Sequence, residues 1–152
     1  MIDSNQLVEY AKQPELALRK LKELLCLLES DDETEQVCAT DLLENCGAPS
    51  RSDIPFLCQQ LVSSSSSRVY WSSTLLGRLG PTGGEQSERS NIQSQLCNVI
   101  DNETIEPSAR ERAAWAIGEL GSIKGSSRDV LEKHLATASP RLKRLLEAAL
   151  AM

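Results

Sequence analysis

Three glycines, Gly47, Gly80 and Gly121, each close an apolar, helix-like stretch, and they lie 33 and 41 residues apart. No other feature limits the fold as much. The last copy is the clearest. In Ala109–Gly121, ARERAAWAIGELG, the small residues Ala113, Ala114 and Ala116 sit beside Trp115, Ile117 and Leu120 before the glycine. Aligning the copies on their glycines places Leu76 on Leu43 and Ile117, Gly77 on Gly118, and Leu79 on Leu120. The small-residue position is Ala39, Ser72 and Ala113 in turn. A further step of 32 residues sets Arg144 on Arg112, Ala148 on Ala116 and Ala149 on Ile117. The longer second interval is taken up by PTGGEQSE, residues 81–88, where breakers cluster. A period of this length describes a pair of short amphipathic helices. Such a pair cannot bury its apolar face alone and must stack against copies of itself.

Composition agrees with helices. Only 3% of the 152 residues are aromatic, so a core must be built from Leu, Ala, Ile, Val and Cys. That favours close-packed helices over a sandwich, which draws on β-branched and aromatic side chains. The length suits one domain, and 40% hydrophobic with 25% charged residues is ordinary for a soluble protein. The expected class is all-α, with about nine short helices and no strand.

Start and stop signals place those helices. Residues 4–12 form a short helix capped by Asp3 or Ser4, with Leu7, Val8 and Ala11 on one face. Pro14 opens a second, PELALRKLKELLCLLES, with a wide leucine stripe. Ser30 with Glu33 reads as a capping box for a helix that buries Val37, Cys38, Leu42, Leu43 and Cys46. Ser50 or Ser52 caps the next, with Ile54, Leu57, Cys58 and Leu61 inward. The serine run Ser63–Ser67 joins two helices and supplies an N-cap. Ile92, Leu96, Cys97 and Ile100 face inward on the helix after the PTGGEQSE loop. Pro107, with a second capping box from Ser108 and Glu111, begins the best copy of the repeat. Gly77 and Gly118 each cost about 1 kcal/mol against alanine inside a helix, which close approach of a partner helix would offset. The expected layout is 1–30 as N-terminal capping helices, pairs at 31–64, 65–102 and 106–137, and a capping helix at 139–152.

At these residues the chain resembles the HEAT-repeat superfamily, in particular its short phycobilisome-lyase-like branch. RAAWAIGELG, residues 112–121, follows that branch's pattern of R-x-x-A-x-x-A-L-G-x-L-G, and STLLGRLG, residues 73–80, follows its second half. Residues 33–47 follow it only in outline, and the resemblance covers about residues 31–152. It implies a right-handed α-α superhelix, a HEAT or armadillo-like solenoid, whose second helices line a concave, partner-binding face. It implies little about function, which resides in sites grafted onto a fold.

The net charge of −6 is unevenly spread: −7 over residues 1–50, −2 over 51–106 and +3 over 107–152. The acidic whole argues against a general nucleic-acid binder, although Arg128, Lys133, Arg141, Lys143 and Arg144 make a basic tail. The opposite ends also suggest weak head-to-tail self-association. Five cysteines are an odd number without C-x-x-C spacing. They read as buried small hydrophobes in a reducing compartment, and no metal site is expected with one histidine, His134. The N-terminus carries no basic and apolar leader, no run reaches membrane-spanning length, and a cytoplasmic protein is expected.

No catalytic constellation stands out, and no cofactor is expected. The leading expectation is a non-enzymatic scaffold that binds a protein partner on the concave face. Its candidate contacts are Phe56, Gln59, Gln60 and Ser63, opposite the stripe of their own helix, with Gln95 and Lys133 on later helices. Phe56 reads either as an anchor or as packing for the next repeat. Arg112 and Arg144 read either as a ladder pairing Glu111 or Glu147, or as a clamp for phosphate or carboxylate. Trp71, at the Arg112 position, lies exposed on the convex side or covers the neighbouring helix. The alternatives are an accessory subunit or lyase acting on a prosthetic group, by analogy with bilin lyases, and nucleic-acid binding through the basic tail.

Overall fold

The computed structural model describes the whole chain, Met1–Met152. It is all-helical, with no strand. It divides into two compact units, Met1–Ala48 and Pro49–Met152, so the boundary falls inside the predicted pair 31–64.

The first unit holds α1 (Ser4–Lys12), a 3-10 helix (Pro14–Lys20), α2 (Leu21–Leu27) and α3 (Glu33–Asn45). Asp3 caps α1 with a full capping box: its carboxylate accepts from the Gln6 amide, and the Gln6 side chain accepts from the Asp3 amide. The expected inward face is replaced. Tyr10 and Ile2 are buried while Val8 and Ala11 are exposed, because the large phenol ring buries more apolar surface than Val and Ala together. The long helix expected from Pro14 is instead tight 3-10 turns that give way to α2 at Lys20, where φ is −120° and ψ is 32°. That break turns Ala17, Leu21, Leu24 and Leu25 into one core. The cap of α3 also moves. Asp32 accepts from the Thr34 amide, and the Ser30 hydroxyl donates to Glu35 while accepting from the Asp32 amide. Ala39, Leu42, Leu43 and Cys46 are buried as the repeat requires, but Val37 is 57% exposed.

The second unit holds a 3-10 turn (Arg51–Asp53), α4 (Ile54–Gln60), α5 (Ser66–Gly77), α6 (Gln86–Asp101), α7 (Pro107–Glu119), α8 (Gly125–Leu135) and α9 (Pro140–Leu150). Ser50 boxes with Asp53, and Ser65 caps α5 by accepting from the Arg68 amide. At the start of α7 the Ser108–Glu111 box does not form. Glu106 is the cap residue, Pro107 takes the first turn, and the Glu106 amide donates to the Ser66 hydroxyl instead. The stopping glycines have left-handed φ, 81° at Gly47, 69° at Gly80 and 100° at Gly121, which a side chain would resist.

Packing in this unit follows two rows. α7 lies between α5 and α9, and α8 contacts both α6 and α9. The 3-10 turn before α4 meets α6 through the Arg51–Glu88 ion pair, 2.8 Å, and α4 itself meets it through Gln95, whose side chain bonds the Cys58 thiol. Both helices that flank α7 run parallel to it. Tyr70 meets Arg112 and Gly77 meets Ala116 along α5/α7, while Glu111 meets Arg141 and Gly118 meets Ala149 along α7/α9. Ser72, Ala113 and Ala116 are fully buried, as their small size in the repeat requires. Trp71 is also buried, 7% exposed, because the indole has too much apolar surface to stand in water.

Two side chains tie neighbouring pairs together by serving helix ends. A helix leaves its last carbonyls unpaired. The Gln93 amide, buried on α6, donates to the Ile117 and Gly121 carbonyls at the end of α7, 3.2 and 3.1 Å. The Arg110 guanidinium, on α7, donates twice to the Ile100 carbonyl at the end of α6, 2.9 and 2.6 Å.

Candidate functional site

The parallel rise of α5, α7 and α9 leaves a cleft of about 410 Å³ lined by Tyr70, Ser108, Glu111, Arg112, Trp115, Arg141, Arg144 and Leu145. Residues three and four apart on a helix share a face. Hence Ser108, Glu111, Arg112 and Trp115 line one wall from α7, and Arg141, Arg144 and Leu145 line the other from α9.

Arg112 is the fixed element. Its guanidinium carbon lies 4.8 Å from the centre of the Tyr70 ring and 4.9 Å from that of Trp115, and Nη2 donates to the Tyr70 hydroxyl. Tyr70 is itself set edge-on against Trp71, 5.3 Å between ring centres. Aromatic faces attract a cation and hold the planar group without neutralising it. The expected ladder is rearranged accordingly. Glu111 pairs with Arg141 at 3.2 Å, while Arg112 stacks and Arg144 stands exposed without an ion pair. Three guanidiniums thus face one carboxylate, in a chain whose overall charge is −6.

A second, apolar cleft of about 340 Å³ continues along the same seam, lined by Pro81, Ala114, Trp115, Gly118, Glu119, Leu145, Ala148, Ala149 and Met152. Trp115 and Leu145 belong to both clefts. The two form one groove over α7 and α9, cationic toward the helix starts and apolar toward their ends.

The residues expected from sequence to bind a partner lie on the other row. Gln59 is exposed on α4, and the Gln60 side chain accepts from the Arg68 guanidinium at 3.2 Å. Ser63 accepts from the Ser65 amide, and Phe56 is half-buried. Gln95 is half-buried on α6 and bonded to Cys58, while exposed Lys133 on α8 lies 3.9 Å from Asp101. They are spread over three helices. The sequence offered Arg112 and Arg144 as a clamp only beside a structural ladder, and the rest of the groove over α7 and α9 was missed because its residues belong to the best copy of the repeat, where they read as packing. The available signal was Arg144 at the Arg112 position, one repeat on.

Two of the five thiols are shifted by burial. Burial pushes the Cys97 thiol up to about 11, against a weaker opposing hydrogen bond from the Ser127 side chain. Burial also raises Cys58. Both are therefore protonated at neutral pH, and a protonated thiol is a poor nucleophile. His134 is mostly buried, with Nε2 2.6 Å from the Asp101 carboxylate at the foot of the α6/α8 contact. No group of three or more His, Cys, Asp or Glu side chains is placed to hold a metal, and no helix is long and apolar enough to cross a membrane.

No protein-family model matches the chain. None of the curated proteins matches it. Among solved structures, it is similar to the crystal structure of an engineered protein, with a TM-score of 0.55 and 19% identity. The match covers 96% of this chain and 42% of that one, so the chain spans less than half of that protein's length. At this identity the likeness extends to the helical fold alone.

Proposed function

We propose that this chain is a non-enzymatic interaction module, a HEAT-like right-handed helical solenoid in its second unit, which binds a protein partner. The repeat spacing, the row α5–α7–α9 and the contact of α6 with α8 support the solenoid reading. The observation that carries the binding reading is Arg112. It is held between Tyr70 and Trp115, with Arg141 and Arg144 beside it, in an open groove of an acidic chain. Preorganised arginines and aromatics are the side chains on which interface energy concentrates. The partner surface is accordingly placed over α7 and α9, and the Phe56–Lys133 set on the other row becomes the competing surface.

Affinity capture from native lysate tests the reading, with the wild type, Arg144→Glu and Lys133→Glu compared side by side. The expected result is a stoichiometric protein partner that Arg144→Glu loses and Lys133→Glu keeps. The opposite pattern moves the interface to α4, α6 and α8. Capture of no protein, together with a saturable absorbance shift on mixing with a tetrapyrrole, would replace the interaction module by a prosthetic-group binder.

A further inference from the structure

We infer that the groove over α7 and α9 accepts an acidic–aliphatic peptide, its carboxylates beside Arg112 and Arg144 and its aliphatic side chain against Trp115 and Ala148. The inference rests on the interaction reading above and gives it an occupant. The groove is divided along its length. Arg112, Arg141 and Arg144 line only the half nearer the helix starts, whereas Ala114, Ala148 and Ala149 line the half nearer their ends. A carboxylate suits the first half, since Arg112 and Arg144 have no acidic partner within the chain. An aliphatic group suits the second, whose only charged side chain is Glu119.

The spacing follows from the helix. Arg112 and Gly118 are six residues apart on α7, which at 1.5 Å per residue is about 9 Å. An extended peptide rises about 3.3 Å per residue and its side chains alternate faces, so acidic and aliphatic side chains that share the groove belong about two or four positions apart. Nucleic acid fits this surface less well. Its charge repeats along its whole length, whereas the apolar half offers a phosphate no cation, and Glu111 and Glu119 lie at either end. The carboxylates also explain why the aromatic clamp matters. It holds the Arg112 guanidinium in position, so that a bound carboxylate meets a planar group already in place.

Isothermal titration of the full chain tests the occupant. The probe is a five-residue capped peptide with glutamates at positions one and two, serine at three, and leucines at four and five. It should bind saturably. Replacing its leucines by serines, or changing the protein by Arg144→Glu or Ala148→Glu, should each weaken binding about tenfold or more. Both protein changes are at exposed positions, and unchanged circular dichroism and melting verify the fold. Equal binding of the serine peptide would overturn the two-part occupant. Binding of the phosphoserine version more than tenfold tighter would reassign the anion to phosphate, and tighter binding of a single-stranded DNA 10-mer would reassign the groove to nucleic acid. Self-association broken by Arg144→Glu, with no peptide bound, would put a second copy of the chain in the groove. If no peptide binds while Arg144→Glu still abolishes partner capture, the acidic–aliphatic occupant falls and the interaction module stands. If neither is seen, both fall.

Discussion

α7 meets α5 on one side and α9 on the other, in the same parallel sense, yet the two seams differ. Along α5/α7 the chain closes. A Cβ built at Gly77 would lie 2.7 Å from the Trp115 ring and 2.9 Å from the Ala116 Cα, so the two backbones have no room between them. Along α7/α9 it opens. At Gly118, the equivalent glycine, a Cβ would stand 3.5 Å from the Ala149 Cα, an ordinary van der Waals distance. The closed seam locks Trp115 and Tyr70 into position. The open seam leaves their exposed faces at the bottom of a groove. One repeat motif thus does two jobs. Its first interface makes the scaffold rigid, and its second leaves a surface for something else.

Gly77→Ala is the severest way to break this difference. Alanine gains about 1 kcal/mol in helix propensity, but its methyl meets the Ala116 backbone as well as the Trp115 ring, and the backbone part cannot be relieved by a rotamer change. A net loss of about 2 kcal/mol is expected in urea unfolding followed by tryptophan fluorescence. That signal reports the second unit, since Trp71 and Trp115 both belong to it. The same change should weaken any ligand of the α7/α9 groove, because Trp115 would be displaced. An unaltered midpoint would mean that the seams are equivalent after all.

The locks between pairs come next. Gln93→Leu keeps the volume of the side chain but leaves the Ile117 and Gly121 carbonyls without their donor, at the end of the helix that builds both seams. Destabilisation of about 1–2 kcal/mol is expected, with faster amide exchange over the last turn of α7. Protection that stays as in the wild type would show that another donor serves those carbonyls.

What could be read in advance depended on locality. Gly47, Gly80 and Gly121 mark helix ends through their own backbone, so the stops, the helix count and the small-residue positions were all legible. Caps were less so. Asp32 displaced the Ser30 box, and the Ser66 hydroxyl took the amide that the Ser108 box would have left unserved, through a contact 40 residues away. The leading helices misled because a stripe counts apolar residues without weighing their size: Tyr10 outcompeted Val8. The groove was hidden for a different reason. Whether Arg112 pairs, stacks or solvates depends on Tyr70 and Arg141, which lie on two other helices. Only the seam geometry brings them together.

The closed row carries a flaw of its own in Ser72, which stands where the following repeat has Ala113. Its hydroxyl is fully buried on α5 without a hydrogen-bond partner. Ser72→Ala removes an unsatisfied polar atom and restores the residue that the repeat uses elsewhere. Stability should rise by about 1 kcal/mol, read from the same urea curves. A fall would show that the hydroxyl is satisfied in solution.

The smallest expected effect is also the sharpest test of the two seams. Gly118→Ala makes in α7 the change that Gly77→Ala makes in α5, at the matching repeat position. The new methyl would sit at contact distance from Ala149 and fill part of the apolar half of the groove. With no clash to overcome, the helix-propensity gain should survive, raising stability by up to about 1 kcal/mol. Opposite signs for the two alanines would establish that the glycines persist for different reasons: close packing at Gly77, and room beneath a ligand at Gly118. If Gly118→Ala instead destabilises as much as Gly77→Ala, the second seam closes in solution, and the groove over α7 and α9 closes with it.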